Sequence, residues 1–588
     1  MLHYTLSPEP FSHLWRITLT FKQENHTSFV LRLPNWVPGS YMIRDFSRHI
    51  ITLDAVCNGQ QIDLAQMAKN LWQAQGQAGE WRISYTVYAF DLSVRGAYLD
   101  TRRGFFDGAC LFLSVGGREN ETCVVNVENL PRGWRTATTL PCLSENGYQA
   151  TDYAELIDHP FEFGDIETIA FQACGIPHRI AISGYHAGFD RNRLRNDIQK
   201  ICETQLKMFP APAPFKEYLF MLFIGDNIYG GLEHISSTAL HADRRCLPAE
   251  GMQEADEDYT LLLGLFSHEY FHAWNVKSIK PAAFIPYRLD SESYTEQLWA
   301  FEGITSYYDD LFLVRSGVIS VEAYLKLQAK NLTRVQQGKG RLHQTLAQSS
   351  FTAWNKYYKQ DENSPNAIVS YYQKGALAAM CLDLTIRRLS LGKLSLDDIM
   401  STLYQDWLAS GKGLSENEWQ QRAEEITGLN LQDFFQIALF STEDLPLEAC
   451  LKSAGVELMW QSAPRGYGGA LVDAFSAPEA IPDFGARFKQ NAEGIVLTHV
   501  FNGGSAENAG LCAQDKVIAL NGFCCTDFAR QWSQLVVGES VKLHYFRHGV
   551  LHEAETLIQA AEADTAFLKI DDRRLLNAWL AIADKISA

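Results

Sequence analysis

Two histidines separated by three residues are the first feature of this sequence that could perform chemistry. His268 and His272 belong to the pentapeptide His-Glu-Tyr-Phe-His. Residues four apart share one face of an α-helix, so both imidazoles could bind one metal ion there. Zinc suits such a pair because it accepts nitrogen ligands in a tetrahedral shell. Glu269 lies beside the two ligands and could take a proton from a metal-bound water, so the pattern predicts a catalytic zinc site.

The surrounding residues predict that the pentapeptide lies on a buried helix. The stretch 261–277 is apolar nearly all round, with leucines, phenylalanines and a tryptophan on every face. A buried polar group without a partner is costly, and a metal ion would supply a partner to both imidazoles at once. A chance match to the motif is the alternative, and the apolar context makes it the weaker one.

A carboxylate follows at a suitable point to complete the metal site. Glu302 follows His272 after 29 intervening residues, in a segment that we expect to be helical from Ser293 or Thr295 to about Val314. Two histidines and one glutamate leave the fourth position of a tetrahedral ion open for water, which is the catalytic arrangement. The sequence therefore predicts one Zn²⁺ per chain.

A glycine-rich stretch upstream is a candidate for binding the substrate. Residues 218–224 have the composition of a buried strand, and the sequence Gly-Gly-Leu-Glu-His follows at 230–234. Gly230 and Gly231 at a strand edge could bring the backbone close to an extended substrate. A glycine turn followed by a solvated Glu233 is the alternative interpretation.

A tyrosine and two loops complete the set of candidate features. Tyr372 opens an apolar helix that continues to Ile386, and beside a zinc ion its phenol could donate to an oxyanion, although packing is the alternative role. The loops 33–41 and 103–108 combine glycine, proline or aspartate with aromatic residues. For both we expect turn chemistry and packed aromatic rings.

Composition and charge limit the functional classes to which the protein could belong. The chain has 588 residues and a formal net charge of −18, which argues against nucleic acid or an anionic membrane as the main partner. No apolar run is long enough to span a membrane, and the first residues do not have the pattern of a signal peptide. The 12 cysteines form no C-x-x-C pair. Reduced thiols and a cytoplasmic location are therefore expected.

Hydrophobic periodicity divides the chain into four parts and predicts a multidomain α+β protein. Residues 1–175 alternate apolar and polar positions and predict an antiparallel β domain, whereas 176–455 are mainly helical and contain the candidate metal ligands. Residues 456–560 return to β character. Residues 561–588 form a tail that we expect to be an amphipathic helix from Thr565 to Ser587.

Several of these motifs together resemble one family. The loop WVPGSY, the sequences GFFDG and GGLEH, the stretch HEYFHAWNVKSIKP, the helix WAFEGITSYY and YYQKGA are similar to those of the glycyl aminopeptidases, zinc metallopeptidases of the gluzincin group that carry a PDZ domain. The resemblance covers nearly the whole chain. It implies a β domain, a thermolysin-like catalytic domain and a PDZ-like domain at 456–560.

The same resemblance implies roles for the candidate residues. It places the zinc ligands at His268, His272 and Glu302 and the general base at Glu269. By similarity to the larger group of aminopeptidases, Glu233 would bind the α-amine of the substrate. The family's preference for N-terminal glycine or alanine is carried by the shape of a pocket.

Tyr372 would by the same similarity stabilise the tetrahedral intermediate. The PDZ-like part departs from the family pattern, because it has Gly504-Ser505-Ala506 where a proline is common and Gln514 in place of the usual glycine before Asp515. The loop Phe484-Gly485-Ala486 is a loose match to the PDZ carboxylate-binding loop. These departures do not favour binding of free peptide C-termini.

The sequence thus predicts a zinc aminopeptidase that hydrolyses peptides with a free N-terminus and does not bind nucleic acid. Two alternatives remain open. One is a zinc endopeptidase whose PDZ-like part selects substrates, and cleavage of N-acetylated peptides would favour it. The other is a non-catalytic PDZ-bearing binding protein, which the complete set of ligands and base does not favour.

Overall fold

The computed structural model describes residues 1–476 and 480–582. Backbone contacts divide the chain into two compact units. The first unit contains residues 1–294, 316–319 and 401–415. The second contains 295–315, 320–400 and 416–588.

The N-terminal part of the first unit consists of β-sheets, as its alternating pattern predicts. The largest sheet has eight strands, in the spatial order Cys142–Ser144, Gly147–Ala150, Cys123–Val127, Leu2–Glu9, Leu14–Gln23, Gly79–Tyr88, Ile50–Cys57 and Gln60–Ile62. One four-stranded sheet contains Arg135–Ala137, Phe161–Gly164, Arg103–Phe106 and Ala97–Leu99, and another contains Ser114–Val115, Phe29–Arg32, Leu71–Ala74 and Leu64–Ala68. Alternate side chains of these strands enter one buried apolar cluster, which explains their period of two.

The expectation of a purely antiparallel domain is wrong at one strand pair. Leu2–Glu9 runs antiparallel to Leu14–Gln23 but parallel to Cys123–Val127. A parallel pair requires a long crossover between its strands, and more than 100 residues connect these two.

A five-stranded sheet follows in the first unit, in the order Glu167–Ala173, Ile176–Gly184, Tyr218–Gly225, Ser237–Asp243 and Tyr229–Glu233. The strand predicted at 218–224 is confirmed and is buried along nearly its whole length. Tyr229–Glu233 is the edge strand and pairs antiparallel with Ser237–Asp243. The GGLEH sequence therefore lies at a sheet edge.

The helix that carries the histidine pair spans Glu257–Phe271. Asp256 begins it by accepting a hydrogen bond from the backbone N–H of Tyr259. His272 occupies the C-cap with helical dihedral angles, so the i, i+4 relation to His268 is retained. The other helices of the unit are Tyr153–Ile157 and Arg191–Met208, and a further helix of the chain spans Leu396–Ser410.

The second unit is mainly helical. Its helices are Ile304–Arg315, Val321–Gln337, Leu346–Phe351, Ser364–Ala367, Gln373–Leu389, Glu418–Thr427, Gln432–Phe440, Leu447–Ser453, Ser505–Asn508, Phe528–Ser533 and Arg573–Leu580. The predicted start of the Glu302 helix at Ser293 or Thr295 is wrong. A π-helical turn at Trp299–Gly303 leads into the helix at Ile304, and residues 291–297 before it have no regular secondary structure. The helix predicted after Tyr372 is confirmed.

The C-terminal part of the second unit contains a six-stranded sheet. Its strands are Ala486–Asn491, Gly494–Val500, Lys516–Leu520, Ser540–Arg547 and Val550–Leu557, with Phe523–Cys524 paired to Lys516–Leu520. A separate small sheet contains Val456–Gln461, Thr565–Ile570 and Ala470–Leu471, and a two-stranded one contains Pro482–Asp483 and Gln559–Ala560. Whether 456–560 forms a PDZ-like domain stays a prediction.

The predicted helical tail is wrong in its first part. Thr565–Ile570 is a strand that pairs with Val456–Gln461, and only Arg573–Leu580 is helical. A short apolar run such as this one does not by itself distinguish a strand from a helix. Residues 583–588 of the predicted tail lie outside the described residues. Within the ranges that the structure describes, the helices are too short or too polar to cross a membrane.

Candidate active site

The histidine pair has the geometry of a metal site. The Nε2 atoms of His268 and His272 lie 3.1 Å apart. Two zinc–nitrogen bonds of tetrahedral geometry place their nitrogens about 3.3 Å apart, so the pair fits one ion. Nδ1 of His272 lies 2.7 Å from the backbone oxygen of Asn275. Donation to that carbonyl places the ring proton on Nδ1 and leaves the lone pair of Nε2 available for a metal.

Glu269 lies between the histidines in sequence and is buried, with 5% of its surface exposed. The pKa of its carboxyl group is raised from 4.5 to about 7, chiefly by burial; His268 and His272 oppose the shift, the charge of Glu233 contributes to it, and Arg95 opposes it. Its Oε2 atom has no hydrogen-bond partner among the described residues. A buried carboxylate oxygen of this kind calls for a ligand, a water or a proton.

Glu233 is the second buried carboxylate at this place. It ends the edge strand Tyr229–Glu233, and only 3% of its surface is exposed. One ligand-type atom from each of Glu233, Glu269 and His272 lies within 4.8 Å of the other two. The alternative of a solvated glutamate is therefore wrong. Oε1 of Glu233 has no hydrogen-bond partner in the part of the chain that the structure describes.

The two glycines before Glu233 are not equivalent. A Cβ atom at Gly231 would overlap the carboxylate of Glu269, whereas at Gly230 its nearest neighbour would be Nη1 of Arg95 at 3.6 Å. Gly231 is thus required for the approach of the edge strand to Glu269. Arg95 also holds this strand, because its Nη2 donates to the backbone oxygen of Gly231 at 2.9 Å.

The loop around Gly39 contacts Glu233 and was not predicted to do so. Gly39 has a φ of +94°, and a Cβ atom there would overlap the Glu233 carboxylate. The loop is anchored by Trp36, whose Nε1 donates to the backbone oxygen of Arg288 at 2.8 Å. The glycine between proline and serine in the WVPGSY sequence signalled the turn, but nothing in the sequence indicated which side chain would lie against it.

The GFFDG loop contributes a buried polar contact behind the same strand. Asp107 accepts a hydrogen bond from the backbone N–H of Ala109, as the predicted turn chemistry requires. Its other carboxylate oxygen lies 2.9 Å from Nε2 of His234, and both side chains are almost fully buried. This pair fixes the backbone next to Glu233. Asp107, Arg95 and Gly39 are the residues of this region that the sequence interpretation missed.

Glu302 lies in the second unit, in the π-helical turn Trp299–Gly303, and is 2% exposed. Gly303 allows this turn to pack closely on the helix Gln373–Leu389, because a Cβ atom there would overlap the backbone of Gly375. Burial raises the pKa of Tyr371 well above its usual value, and the charge of nearby Glu302 contributes to the shift. Glu302 is therefore a buried carboxylate held next to the start of this helix.

Tyr372 precedes that helix directly and occupies its N-cap position. Its phenol oxygen lies 3.3 Å from that of Tyr358, and its ring lies against the rings of Tyr357 and Tyr371 with centroid separations of 5.5 Å and 4.6 Å. Gly303 follows Glu302 directly, and Gly375 lies in the first turn of the helix that Tyr372 caps. The close approach of these two glycines fixes the position of Tyr372 relative to Glu302 within the second unit.

Two family models match the sequence. One, described as the Peptidase M61 N-terminal domain, matches residues 3–165. The other, described as the M61 glycyl aminopeptidase, matches residues 261–378, which contain all the candidate metal ligands. No curated protein matches the chain significantly.

A solved structure is similar over nearly the whole chain. The crystal structure of an aminopeptidase N family protein from Idiomarina loihiensis is 39% identical, with a TM-score of 0.94, and the similarity covers 99% of this chain and 100% of that one. An M1 zinc metallopeptidase from Deinococcus radiodurans is 15% identical over 76% of this chain and 94% of that one, with a TM-score of 0.46. Native yeast LTA4 hydrolase is 13% identical over 77% of this chain and 70% of that one, also with a TM-score of 0.46.

Proposed function

The chain belongs to the M61 glycyl aminopeptidase family and is a zinc metallopeptidase, and from this premise we propose that it removes single small residues, glycine or alanine, from the N-termini of peptides. The substrates are peptides with a free α-amine. The proximity of Glu233 to Glu269 is the observation that carries this proposal.

We propose that one zinc ion per chain is held by His268, His272 and Glu302. The spacing of the two Nε2 atoms and the burial of the Glu302 carboxylate support this assignment. Bound zinc would polarise the scissile carbonyl, lower the pKa of a water molecule and, by its charge, favour the anionic form of Glu269. The donor set of two imidazoles and one carboxylate suits zinc and leaves a position for water.

The position of Glu233 supports cleavage of the first peptide bond. In a peptide the α-amine nitrogen lies about 2.5 Å from the carbonyl carbon of the first residue. A carboxylate that binds this amine must therefore lie within a few ångströms of the residue that activates the attacking water. Glu233 and Glu269 meet that condition, since their carboxylate atoms approach within 4.8 Å. An ammonium group would also satisfy the Oε1 atom of Glu233 that has no partner among the described residues.

We assign the proton transfer to Glu269. Its carboxylate would accept a proton from the attacking water and deliver it to the leaving amine. Burial and the neighbouring Glu233 raise the affinity of this carboxylate for a proton, and general bases are commonly tuned in this way. Gly231 gives Glu269 the space it occupies.

Tyr372 is assigned to the oxyanion that develops on the carbonyl oxygen. A phenol O–H can donate to such an oxygen. The ring of Tyr372 is held in place by packing against the rings of Tyr357 and Tyr371. The edge strand with Gly230 and Gly231 is assigned to the substrate backbone, which could pair with it as an additional strand.

The contact of Gly39 with Glu233 supports removal of the first residue over cleavage within a longer chain. The loop fills the space beside the proposed amine-binding carboxylate, which leaves little room for a longer chain on the N-terminal side. We also propose a PDZ-like domain within 456–560, which the six-stranded sheet and its two short helices support. The free thiols of all twelve cysteines, each within the described residues, are consistent with a cytoplasmic location.

A panel of aminoacyl substrates tests the proposal. Hydrolysis of glycyl and alanyl amides should exceed that of leucyl and lysyl amides. A zinc chelator should abolish it, and zinc should restore it. The same peptide should be assayed with a free and an N-acetylated terminus. Equal cleavage of the two forms would contradict the aminopeptidase assignment and favour a zinc endopeptidase.

A further inference from the structure

A large cavity lies in the first unit and contains none of the residues assigned to the reaction. Its volume is about 750 Å³. Lys277 and Lys280, which follow the histidine helix in the chain, lie on its wall together with Tyr287 and Trp407. Since Glu233 and the HExxH residues do not line it, the cavity requires an explanation of its own.

The first of these lysines is neutralised by a protein partner. Lys277 is 6% exposed and forms an ion pair with Asp158. The other carboxylate oxygen of Asp158 accepts a hydrogen bond from the backbone N–H of Ile235 at 3.0 Å. Lys277 therefore has a structural role and offers little free charge to the cavity.

The second lysine is not neutralised. Among residues 1–476 and 480–582, no carboxylate lies within 4.0 Å of the Lys280 ammonium. Two aromatic rings contact it instead, with Nζ 5.5 Å from the ring centre of Tyr287 and 5.3 Å from that of Trp407. Such cation–π contacts offset only part of the cost of removing an ammonium from water. Burial accordingly lowers the pKa of Lys280 from 10.5 to about 8; the charge of Lys277 adds to this shift and the charge of Asp158 opposes it.

The remaining walls indicate the nature of a ligand. Phe284, Ile235, Pro38 and Leu289 contribute apolar surface next to the rings. We propose that this cavity binds an organic monocarboxylate with an apolar body, whose carboxylate pairs with Lys280 and whose body lies against the apolar walls. This site is separate from the proposed peptidase chemistry and does not depend on zinc.

The charges on the walls favour a monoanion over other ligands. Asp158 is occupied by Lys277, Asp152 accepts from the backbone N–H of Glu155 at 2.8 Å, and Glu155 binds Thr151. These carboxylates would repel a dianion such as phosphate. Arg32 and Arg288 also line the cavity, but Arg32 pairs with Asp290 at 3.8 Å and Arg288 is exposed. Lys280 is therefore the half-buried cation that a ligand carboxylate would meet. Glu119 is a further carboxylate on the wall and could pair with an organic cation. The experiment must therefore distinguish binding of an organic anion from binding of an organic cation.

Calorimetric titration of the full chain with 4-phenylbutyrate tests the proposal. The matched probes are 4-phenylbutanol, which keeps the body without the charge, 4-phenylbutylamine, which reverses the charge, and acetate and phosphate, which lack the body. We expect saturable binding of one phenylbutyrate per chain, at least tenfold tighter than that of any other probe. Equal binding of the alcohol, or tighter binding of the amine, would overturn the proposal.

Substitutions connect the binding to one side chain. Lys280→Met keeps most of the stem without the charge and should weaken phenylbutyrate binding at least tenfold, whereas Lys280→Arg should retain binding within about fivefold. Lys412→Met removes an exposed lysine of the same unit and serves as the control. Unchanged affinity in Lys280→Met would overturn the proposal.

A titration of the amine itself gives a readout that does not depend on the affinity of the variants. NMR of ¹³C-methylated lysines, with the Lys280 signal assigned from its absence in Lys280→Met, would follow the pKa of this group. Saturating phenylbutyrate should raise that pKa by at least one unit, since a paired carboxylate favours the charged form. If the pKa does not move while the ligand binds, the carboxylate is not at Lys280 and the assignment is wrong.

Discussion

Replacement of Glu233 by glutamine should separate recognition of the amine from the rest of the reaction. Glutamine has nearly the same shape, so the packing against Gly39 is kept while the charge is lost. Glu233 is 3% exposed, so water cannot readily replace the missing ion pair with the substrate ammonium. Loss of a hydrogen bond to a charged group typically costs about 1.5–3 kcal/mol, which corresponds to a decrease of roughly 10–200-fold in kcat/KM.

The free and N-acetylated forms of one glycyl peptide provide the assay. Wild-type protein should cleave the free form much faster, because an acetylated terminus leaves the carboxylate without a partner and adds bulk beside Gly39. In Glu233→Gln the preference for the free form should shrink by about the same factor as kcat/KM. Zinc content and melting temperature should stay unchanged.

An exposed carboxylate of the same unit gives the matched control. The side chain of Glu217 is 46% exposed and pairs with Arg179. Glu217→Gln should therefore leave both kcat/KM and the preference for the free terminus within twofold of wild type. The reasoning is refuted if Glu233→Gln keeps the wild-type preference, or if both substitutions have the same effect.

Three further substitutions test the other assigned roles. Glu269→Gln should retain zinc but lower kcat by roughly 10²–10⁴-fold, since it removes the proton acceptor, and near-wild-type turnover would contradict that role. Tyr372→Phe should lower kcat by roughly 10²–10³-fold with little change in zinc content, whereas Tyr371→Phe should have a small effect; equal rates in the two variants would return Tyr372 to a packing role. Gly231→Ala should lower kcat at least tenfold because its Cβ displaces the Glu269 carboxylate, whereas Gly230→Ala should change mainly KM. Steady-state kinetics that show equal kcat values for the two alanine variants would refute this distinction.

The local parts of the site could be predicted from the sequence because the helix has a fixed period. The i, i+4 spacing of His268 and His272 determines that their ring nitrogens meet, and the structure places them 3.1 Å apart. The buried strand at 218–224 followed from composition in the same way, whereas for Gly-Gly-Leu-Glu-His a strand edge and a glycine turn both stayed open. These features depend on residues close together in the chain.

Contacts between distant segments could not be predicted, because periodicity carries no information about partners. Gly39 and Glu233 are separated by almost 200 residues, and both were compatible with ordinary turns. The parallel pairing of Leu2–Glu9 with Cys123–Val127 depends on which edge of a sheet is available after folding. Thr565–Ile570 became a strand because Val456–Gln461 offers it a partner, which its own composition does not show.

The most direct test of the account is the metal content of the purified protein together with its activity. Elemental analysis should find about one zinc per chain, and alanine substitution of His272 or glutamine substitution of Glu302 should remove it, whereas Glu269→Gln should retain it. Chelation should abolish hydrolysis of a glycyl amide, and one equivalent of zinc should restore it. A protein that contains no zinc and hydrolyses the glycyl amide fully in the presence of chelator would contradict the account.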